Sequence, residues 1–420
     1  MKQNYSAKDR LCYILEETFH YLITILLAGS YLAKITSTLG FSDRLTAILS
    51  TINTLGCSMQ LLSVAVFQKG TYKRRITGMF MLNQLLFTLL YLVPFIQISN
   101  GHRTVLFIGF MLLGYLVLNL VLTPRTNWYM SFVDNGKRGI FTAKKEAVSL
   151  VCGILFQFVM SGMIDYWEAK GDVRTSLAIC AVVIFALSIG HTLSLVFTKD
   201  KAIPENRQPF LKQIKATITC KETRKLLGLS VLWGICHSIS IPFYGTYTIK
   251  ELGFSMSYVA FLSLLSAAAR IFASMVLGKY ADKHSFAKML RLCYCMIALG
   301  FAVAAFTHPA NGRIMYALYS VFHAMAMGGI NSGEINLIYD NVEPAQRTAA
   351  LSVRNTVYGI TGFLTVTAIS PLLSYIQNAG NRFFGIQVYG QQVLSLIACL
   401  VSLLTALYIH IVVEKIQRTQ

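Results

Sequence analysis

Charge is scarce in this chain. Only 13% of its 420 residues are Asp, Glu, Lys or Arg, about half the share of a typical soluble domain, which excludes an ordinary cytosolic protein. Acidic residues are scarcer than basic ones, 18 against 37, leaving a formal charge of +19. That excess does not indicate nucleic acid, because the Lys and Arg lie in short clusters between apolar runs and not on one continuous face. Phosphate-binding loops, metal-ligand spacings and a nucleophile with a base at helical spacing are all missing, which argues against an enzyme, a cofactor or a metal site. A pore-lining charge ring or filter motif is missing too, which argues against a channel. The cysteines number nine. Cys57, Cys152, Cys180, Cys236 and Cys399 sit inside apolar runs, and Cys293 and Cys295 have no His partner, so they read as small buried hydrophobes. The polar stretch from Met1 to Arg10 lacks a small-residue cleavage site after it and does not read as a signal peptide.

What the chain does have is long apolar sequence, with 55% hydrophobic residues. Runs such as Leu85 to Phe95, Val105 to Val121, Leu177 to Val196 and Val393 to Val413 approach or exceed the roughly 20 residues that span a hydrocarbon core. Bounded by charged or Gly/Pro/Asn loops, they predict an all-α membrane protein with spans at 11 to 34, 44 to 67, 76 to 98, 104 to 130, 146 to 165, 174 to 197, 225 to 249, 255 to 278, 288 to 307, 313 to 338, 350 to 376 and 389 to 413. Twelve spans put both termini on one side. With the N-terminus inside, the cytoplasmic segments carry most of the Lys and Arg, including Lys69, Lys73, Arg74, Arg75, Lys144, Lys145 and the cluster from Lys199 to Lys225. The outer loops hold only Lys34, Arg44, Arg103, Lys170, Arg174, Lys250, Arg313 and Arg382. This asymmetry predicts a multi-pass protein of the cell membrane with cytoplasmic termini.

The longest polar stretch, Thr198 to Lys225, contains Pro204 and Pro209 and reads as a cytoplasmic linker between six-span bundles at 1 to 197 and 226 to 420. A shift of 209 matches Asn127 with Asn336, Val133 with Val342, Arg138 with Arg347, Val148 with Val357, Gly153 with Gly362 and Tyr166 with Tyr375. A shift of 210 matches Lys69 with Lys279 and Lys73 with Lys283. Such an internal duplication suits two bundles that rock about a site held between them.

Gly278-Lys279-Tyr280-Ala281-Asp282-Lys283 resembles the signature loop of the major facilitator superfamily of secondary transporters, and the resemblance covers essentially the whole chain. It implies a cytoplasmic gate involving Gly278, Asp282 and Lys283, with Arg138 and Arg347 as the repeat-related basic residues. The first-half counterpart, Gln68-Lys69-Gly70-Thr71-Tyr72-Lys73-Arg74-Arg75, keeps the basic tail but lacks the aspartate. Arg125 resembles the family's helix-four arginine, although Pro124 before it is a departure. The helix-five glycine-proline motif of drug/proton antiporters is missing between Ala147 and Ile164.

Each ionisable side chain at membrane depth should face a cavity or a partner, since exposing it there costs about 2.5 to 3.5 kcal/mol. Glu16 and Glu17 lie about two turns into the first helix, with His20 at i+4 and i+3 close enough to share a proton. Arg125 lies at similar depth in the fourth helix, which adjoins the first in the family fold, and a Glu16 or Glu17 pair with Arg125 is expected. In the second half, Arg270 is expected to meet Glu334, the residue 209 positions after Arg125. A carboxylate that alternately loses and regains its partner can carry a proton; a static ion pair is the bland alternative.

Candidate solute contacts are Asn53, Gln60, Asn119, Gln157, His237, Tyr244, Tyr247 and Asn331, whose amide, imidazole and phenol groups suit hydroxyl-bearing solutes. Interhelical hydrogen bonding or interfacial anchoring is the alternative for each. Pro242 is expected to break the seventh helix beside Tyr244. His191 and His323 read as structural donors, Trp128 and Tyr129 as boundary anchors, and Gly328, Gly329 and Gly333 as packing positions. The reading that follows is a monomeric proton symporter of a sugar-like or glycoside-like solute, with sodium as another candidate ion. An exporter of amphipathic compounds and a non-transporting receptor or scaffold are the alternatives.

Overall fold

Hydrocarbon offers the backbone no hydrogen-bond partner, so apolar runs of this length satisfy their own N–H and C=O groups by folding as helices. The computed structural model describes residues 7–60, 62–63, 67, 72–130, 132–133, 138–200, 210–342, 347–383 and 386–416. In chain order the helices are α1 (Ala7–Leu26), α2 (Gly29–Thr38), α3 (Asp43–Ser50), α4 (Ile52–Gly56), α5 (Tyr72–Leu92), α6 (Asn100–Met130), α7 (Arg138–Ala169) and α8 (Val173–Phe197). There follow α9 (Phe210–Thr219), α10 (Lys221–Thr246), α11 (Met256–Lys283), α12 (Phe286–Ala305), α13 (Gly312–Asn341), α14 (Arg347–Asn378) and α15 (Gly390–Tyr408). A hairpin of β1 (Arg382–Phe383) and β2 (Ile386–Gln387) pairs antiparallel ahead of α15.

Among the described residues nine helices are long and apolar enough to cross a membrane, or ten when the bent pair α1 and α2 counts as one span. Two predicted spans fall outside that set. The second is interrupted, running as α3, α4 and a 3₁₀ turn at Cys57–Met59, beyond which Leu61, residues 64 to 66 and the motif residues Gln68 to Thr71 lie outside the described residues. The tenth forms the 30-residue α13. Its second half carries Gly328, Gly329, Asn331, Gly333 and Glu334, which lower its hydropathy without shortening it.

The contacts divide the chain into two units. One comprises Met1–Ser42, Met59–Arg207 and Ser255–Ala260, the other Asp43–Ser58, Gln208–Phe254 and Phe261–Gln420. Two short segments therefore depart from the boundaries expected from the sequence, each for a visible reason. Asp43 accepts hydrogen bonds from Lys250 Nζ at 2.6 Å and Gln377 Nε2 at 2.8 Å, and Gly359 of α14, lacking a Cβ, admits the Thr54 carbonyl. Asp165 of α7 accepts from the backbone N–H groups of Met256 at 2.8 Å and Ser257 at 2.7 Å, capping the start of α11.

In the first unit α1 packs on α7 and α8, and α5 on α6 and α8. The first span bends by 46° between α1 and α2, where Gly29 takes φ +54°, a left-handed conformation that glycine adopts without a Cβ clash. Both arms are held to α7: Thr18 bonds Ser149 at 3.1 Å, Gly153 leaves room for the Tyr21 ring, Tyr31 bonds Ser161 at 2.7 Å, and Lys34 pairs with Glu168. Trp128 and Tyr129 are fully buried, unlike boundary anchors. Tyr129 stacks on Tyr13 with ring centroids 4.4 Å apart, and the Trp128 indole donates to the Lys199 carbonyl at 3.2 Å. Asp172 caps α8 from just outside it; hydrogen bonds from the Thr175 hydroxyl and backbone N–H hold its carboxyl below the usual range.

In the second unit α12 packs on α13 and α15, and α10 on α14 and α15. Small residues let these backbones approach closely. A Cβ added at Gly328 would lie 2.9 Å from the Arg270 carbonyl, and one at Gly333 would lie 2.6 Å from Met289. Pro242 does not break its helix: α10 continues past it to Thr246 and passes into a π-helical turn at Tyr247–Glu251. The irregularity follows the proline by one turn.

Candidate functional site

Five ionisable side chains of the first unit converge from four helices. Adjacent positions on a helix point about 100° apart, so Glu16 and Glu17 of α1 face different neighbours. Glu16 points between α6 and α8 with its side chain 0% exposed, while Glu17, at 25%, reaches toward α7. Arg125 Nε donates to Glu16 Oε1 at 2.8 Å and Oε2 at 2.9 Å, and its Nη2 donates to Oε2 at 2.7 Å. The same Nη2 donates to Glu17 Oε2, which also faces Lys145 Nζ at 3.2 Å. His191 Nε2 of α8 lies 2.9 Å from Glu16 Oε1. The Tyr13 ring lies under both cations, 4.9 Å from Lys145 Nζ and 5.7 Å from the Arg125 guanidinium carbon. Two carboxylates thus face two cations, and a buried cluster of this kind persists because every charge has a partner.

Several expectations change here. His20 makes no hydrogen bond to Glu16 or Glu17 among the described residues; its ring packs against Phe80 and His191, with centroids 6.0 and 6.1 Å away. His191 is part of the ion cluster and not a lone structural donor. No periodicity in the sequence marks it, and the signal available was only a histidine facing inward at the depth of Arg125. The sequence places Lys145 in a cytoplasmic segment just ahead of the span at 146 to 165, yet α7 begins at Arg138 and carries it to the cluster.

In the second unit the expected Arg270–Glu334 pair does not form. Glu334 of α13 is buried and pairs with Arg354 of α14, while its Oε1 accepts the Tyr294 hydroxyl of α12 at 2.9 Å. Arg270 is exposed. Its backbone abuts Gly328, six residues before Glu334 and so about 9 Å short along α13 at 1.5 Å per residue. Glu334 and Arg354 line a small crevice with Thr223, Ser230 and Ala350.

Most of the proposed solute contacts have hydrogen-bond partners within their own unit. Gln60 Nε2 donates to Asn119 Oδ1 at 3.2 Å, and Asn119 Nδ2 to the Tyr115 carbonyl at 2.9 Å, so these amides satisfy one another across helices. Gln157 is half-buried and its carbonyl accepts from Tyr31 at 3.2 Å. His237 Nδ1 lies 3.3 Å from the Tyr358 hydroxyl and its ring lies edge-on to Trp233. Tyr244 and Tyr247 are buried, bonded to Ser395 at 2.6 Å and to the Thr307 carbonyl respectively. Asn53 and Asn331 are exposed. Of the expected gate residues, Gly278 lies within α11 with open space where a Cβ would be, and Lys283 is exposed at its end. The side chains of Arg138, Asp282 and Arg347 lie outside the described residues.

Against known proteins, the Major Facilitator Superfamily profile matches residues 17–366. The ribitol transporter of Klebsiella pneumoniae is 22% identical over 241 residues, 55% of each chain, so this chain spans about half the length of the curated relatives it matches. A mutant of the nucleoside transporter NupG superposes with a TM-score of 0.76 at 14% identity, covering 96% of this chain and 99% of its own. A D-xylose-proton symporter superposes with a TM-score of 0.65 at 12% identity, covering 95% and 97%. At such identities the structural likeness is one of fold. With its helices in this arrangement and the profile matching most of its length, the chain belongs to the Major Facilitator Superfamily of membrane transporters.

Proposed function

We propose that the protein is a secondary active symporter that couples entry of a small polar organic solute, a sugar, polyol or nucleoside, to a proton gradient. The observation that carries this reading is the buried cluster of Glu16, Glu17, Arg125, Lys145 and His191. A carboxylate held among cations on separate helices is protonated when those helices draw apart and deprotonated when they return, which is the property a proton-driven cycle needs. The likeness to the ribitol transporter supports this solute class, and the amide groups of Gln60, Asn119 and Gln157 are the kind that bind hydroxyls. The halves at 1 to 197 and 226 to 420, joined by a linker at 198 to 225, are the two moving bodies of a monomer with cytoplasmic termini and a cytoplasmic gate at Gly278, Asp282, Lys283, Arg138 and Arg347.

Purified protein in liposomes, given an inward proton gradient, tests this with ribitol, D-xylose, uridine and a lipophilic cation as solutes. The expected result is accumulation of at least one of the first three above its external concentration, abolished by a protonophore and indifferent to replacing sodium with potassium. Uptake that never exceeds equilibrium, or flux confined to the lipophilic cation, overturns the proposal.

A further inference from the structure

Glu16 and Glu17 are neighbours in sequence with unequal surroundings. Both oxygens of Glu16 are occupied, by three hydrogen bonds from Arg125 and by His191, and no part of its side chain is exposed. Glu17 uses Oε2 alone, shared between Arg125 and Lys145; among the described residues its Oε1 makes no hydrogen bond, and a quarter of the side chain is open, 25%. Resting on the proton-coupled reading above, we propose that Glu17 is the carboxylate that takes up and releases the proton, while Glu16, clamped by Arg125 and His191, is a fixed counter-charge that positions the guanidinium.

The groups around the pair allow this division. A proton arriving from water adds to the free Oε1 of Glu17 and returns to water from the same atom, so no other bond is made or broken. Lys145 then loses its carboxylate partner but keeps the face of the Tyr13 ring. Arg125 keeps its three bonds to Glu16, so no cation at the site is left bare. Protonating Glu16 instead would place a neutral acid against the guanidinium in a site with no water contact and break the bonds that hold Arg125. The remaining groups facing the pair are Tyr13 and His20 on α1, Tyr129 on α6 and His191 on α8. His20 makes no hydrogen bond to either carboxylate among the described residues and packs edge-on to Phe80 and against His191, and Tyr129 is stacked on Tyr13. His191 presents Nε2 to Glu16, so it acts as a positioning residue on the anchor and not on Glu17.

Infrared difference spectra of the full-length protein in liposomes, recorded across a pH titration, read carboxyl protonation without any solute. One of the carboxyl bands that titrate in the wild type should vanish in Glu17→Gln and survive in Glu16→Gln. His191→Gln keeps a donor toward Glu16 without a titrating ring, and should leave the band in place; it serves also if Glu16→Gln does not fold. In parallel, Glu17→Gln should reduce gradient-driven accumulation of whichever of ribitol, D-xylose or uridine the wild type concentrates to the equilibrium ratio. A band lost in Glu16→Gln and kept in Glu17→Gln, or lost in His191→Gln, overturns this assignment while leaving proton coupling intact. Titration spectra of Glu16→Gln and Glu17→Gln that both keep every band of the wild type overturn both.

Discussion

Replacing Arg125 with Met removes one cation from the cluster at nearly constant volume, and its cost follows from the geometry. The guanidinium makes three hydrogen bonds of 2.7 to 2.9 Å to Glu16 and a further one to Glu17. Two unit charges about 4 Å apart attract by about 4 kcal/mol at an effective dielectric near 20. Removing one member of a buried pair typically costs about 3 to 5 kcal/mol, because the other stays buried and unpaired. Glu17 would keep Lys145, but Glu16 would keep only His191, so Arg125→Met should destabilise the protein by about 4 kcal/mol. Removing the orphaned charge as well should restore part of that. The Glu16→Gln, Arg125→Met double variant is expected to be at least about 2 kcal/mol more stable than the sum of the single losses requires. Unfolding in mixed detergent micelles, followed through the fluorescence of the buried Trp128 beside the cluster, measures all four corners of the cycle. A loss below about 1 kcal/mol for Arg125→Met, or strict additivity in the double variant, would refute the view that these groups form one coupled unit.

Three further outcomes can be checked with the same unfolding assay. Gly328→Ala should cost about 1 to 3 kcal/mol, because the new Cβ would meet the Arg270 carbonyl, a backbone atom that cannot swing aside; Gly162→Ala, with open space around it, should be neutral or mildly stabilising. Asp165→Ala should cost about 0.5 to 2 kcal/mol by uncapping α11, with Asp165→Asn recovering part of it, and hydrogen exchange at Met256 and Ser257 should quicken in proportion. Arg354→Met should cost about 3 to 5 kcal/mol by stranding Glu334, whereas Arg270→Gln should stay within about 0.5 kcal/mol; equal losses would restore the Arg270 pairing.

The membrane spans could be read from the chain because lipid leaves the backbone few alternatives, and the Glu16–Arg125 juxtaposition followed from counting turns inward from the ends of two runs. Depth along a helix axis is all that such counting yields. Rotation about the axis stays open, and at 100° per residue it decides partners: the depth count brings Arg270 to Glu334, yet Arg354, near the start of the span expected at 350 to 376, is the one that faces it. Lys145 was missed for a related reason, since a charge ending an apolar run says nothing of how far the helix extends beyond it. The aromatic residues Trp128 and Tyr129 looked like boundary anchors from their position, yet stacking on Tyr13 draws Tyr129 into the core. Asp43 and Asp165 lay at predicted span edges, where a carboxylate is unremarked until its hydrogen bonds are visible.

The bend in the first span has a consequence for how force travels through the first unit. Gly29 supplies the freedom to turn, but the angle itself is dictated by α7, which is fastened to one arm through Ser149 and to the other through Ser161 and Glu168. A joint pinned on both leaves behaves as a bracket, not as a pivot. Lengthening or shortening α7 by one residue between Ser149 and Ser161 would rotate one set of fastenings by 100° relative to the other, and the first span would have to straighten or let go of one arm.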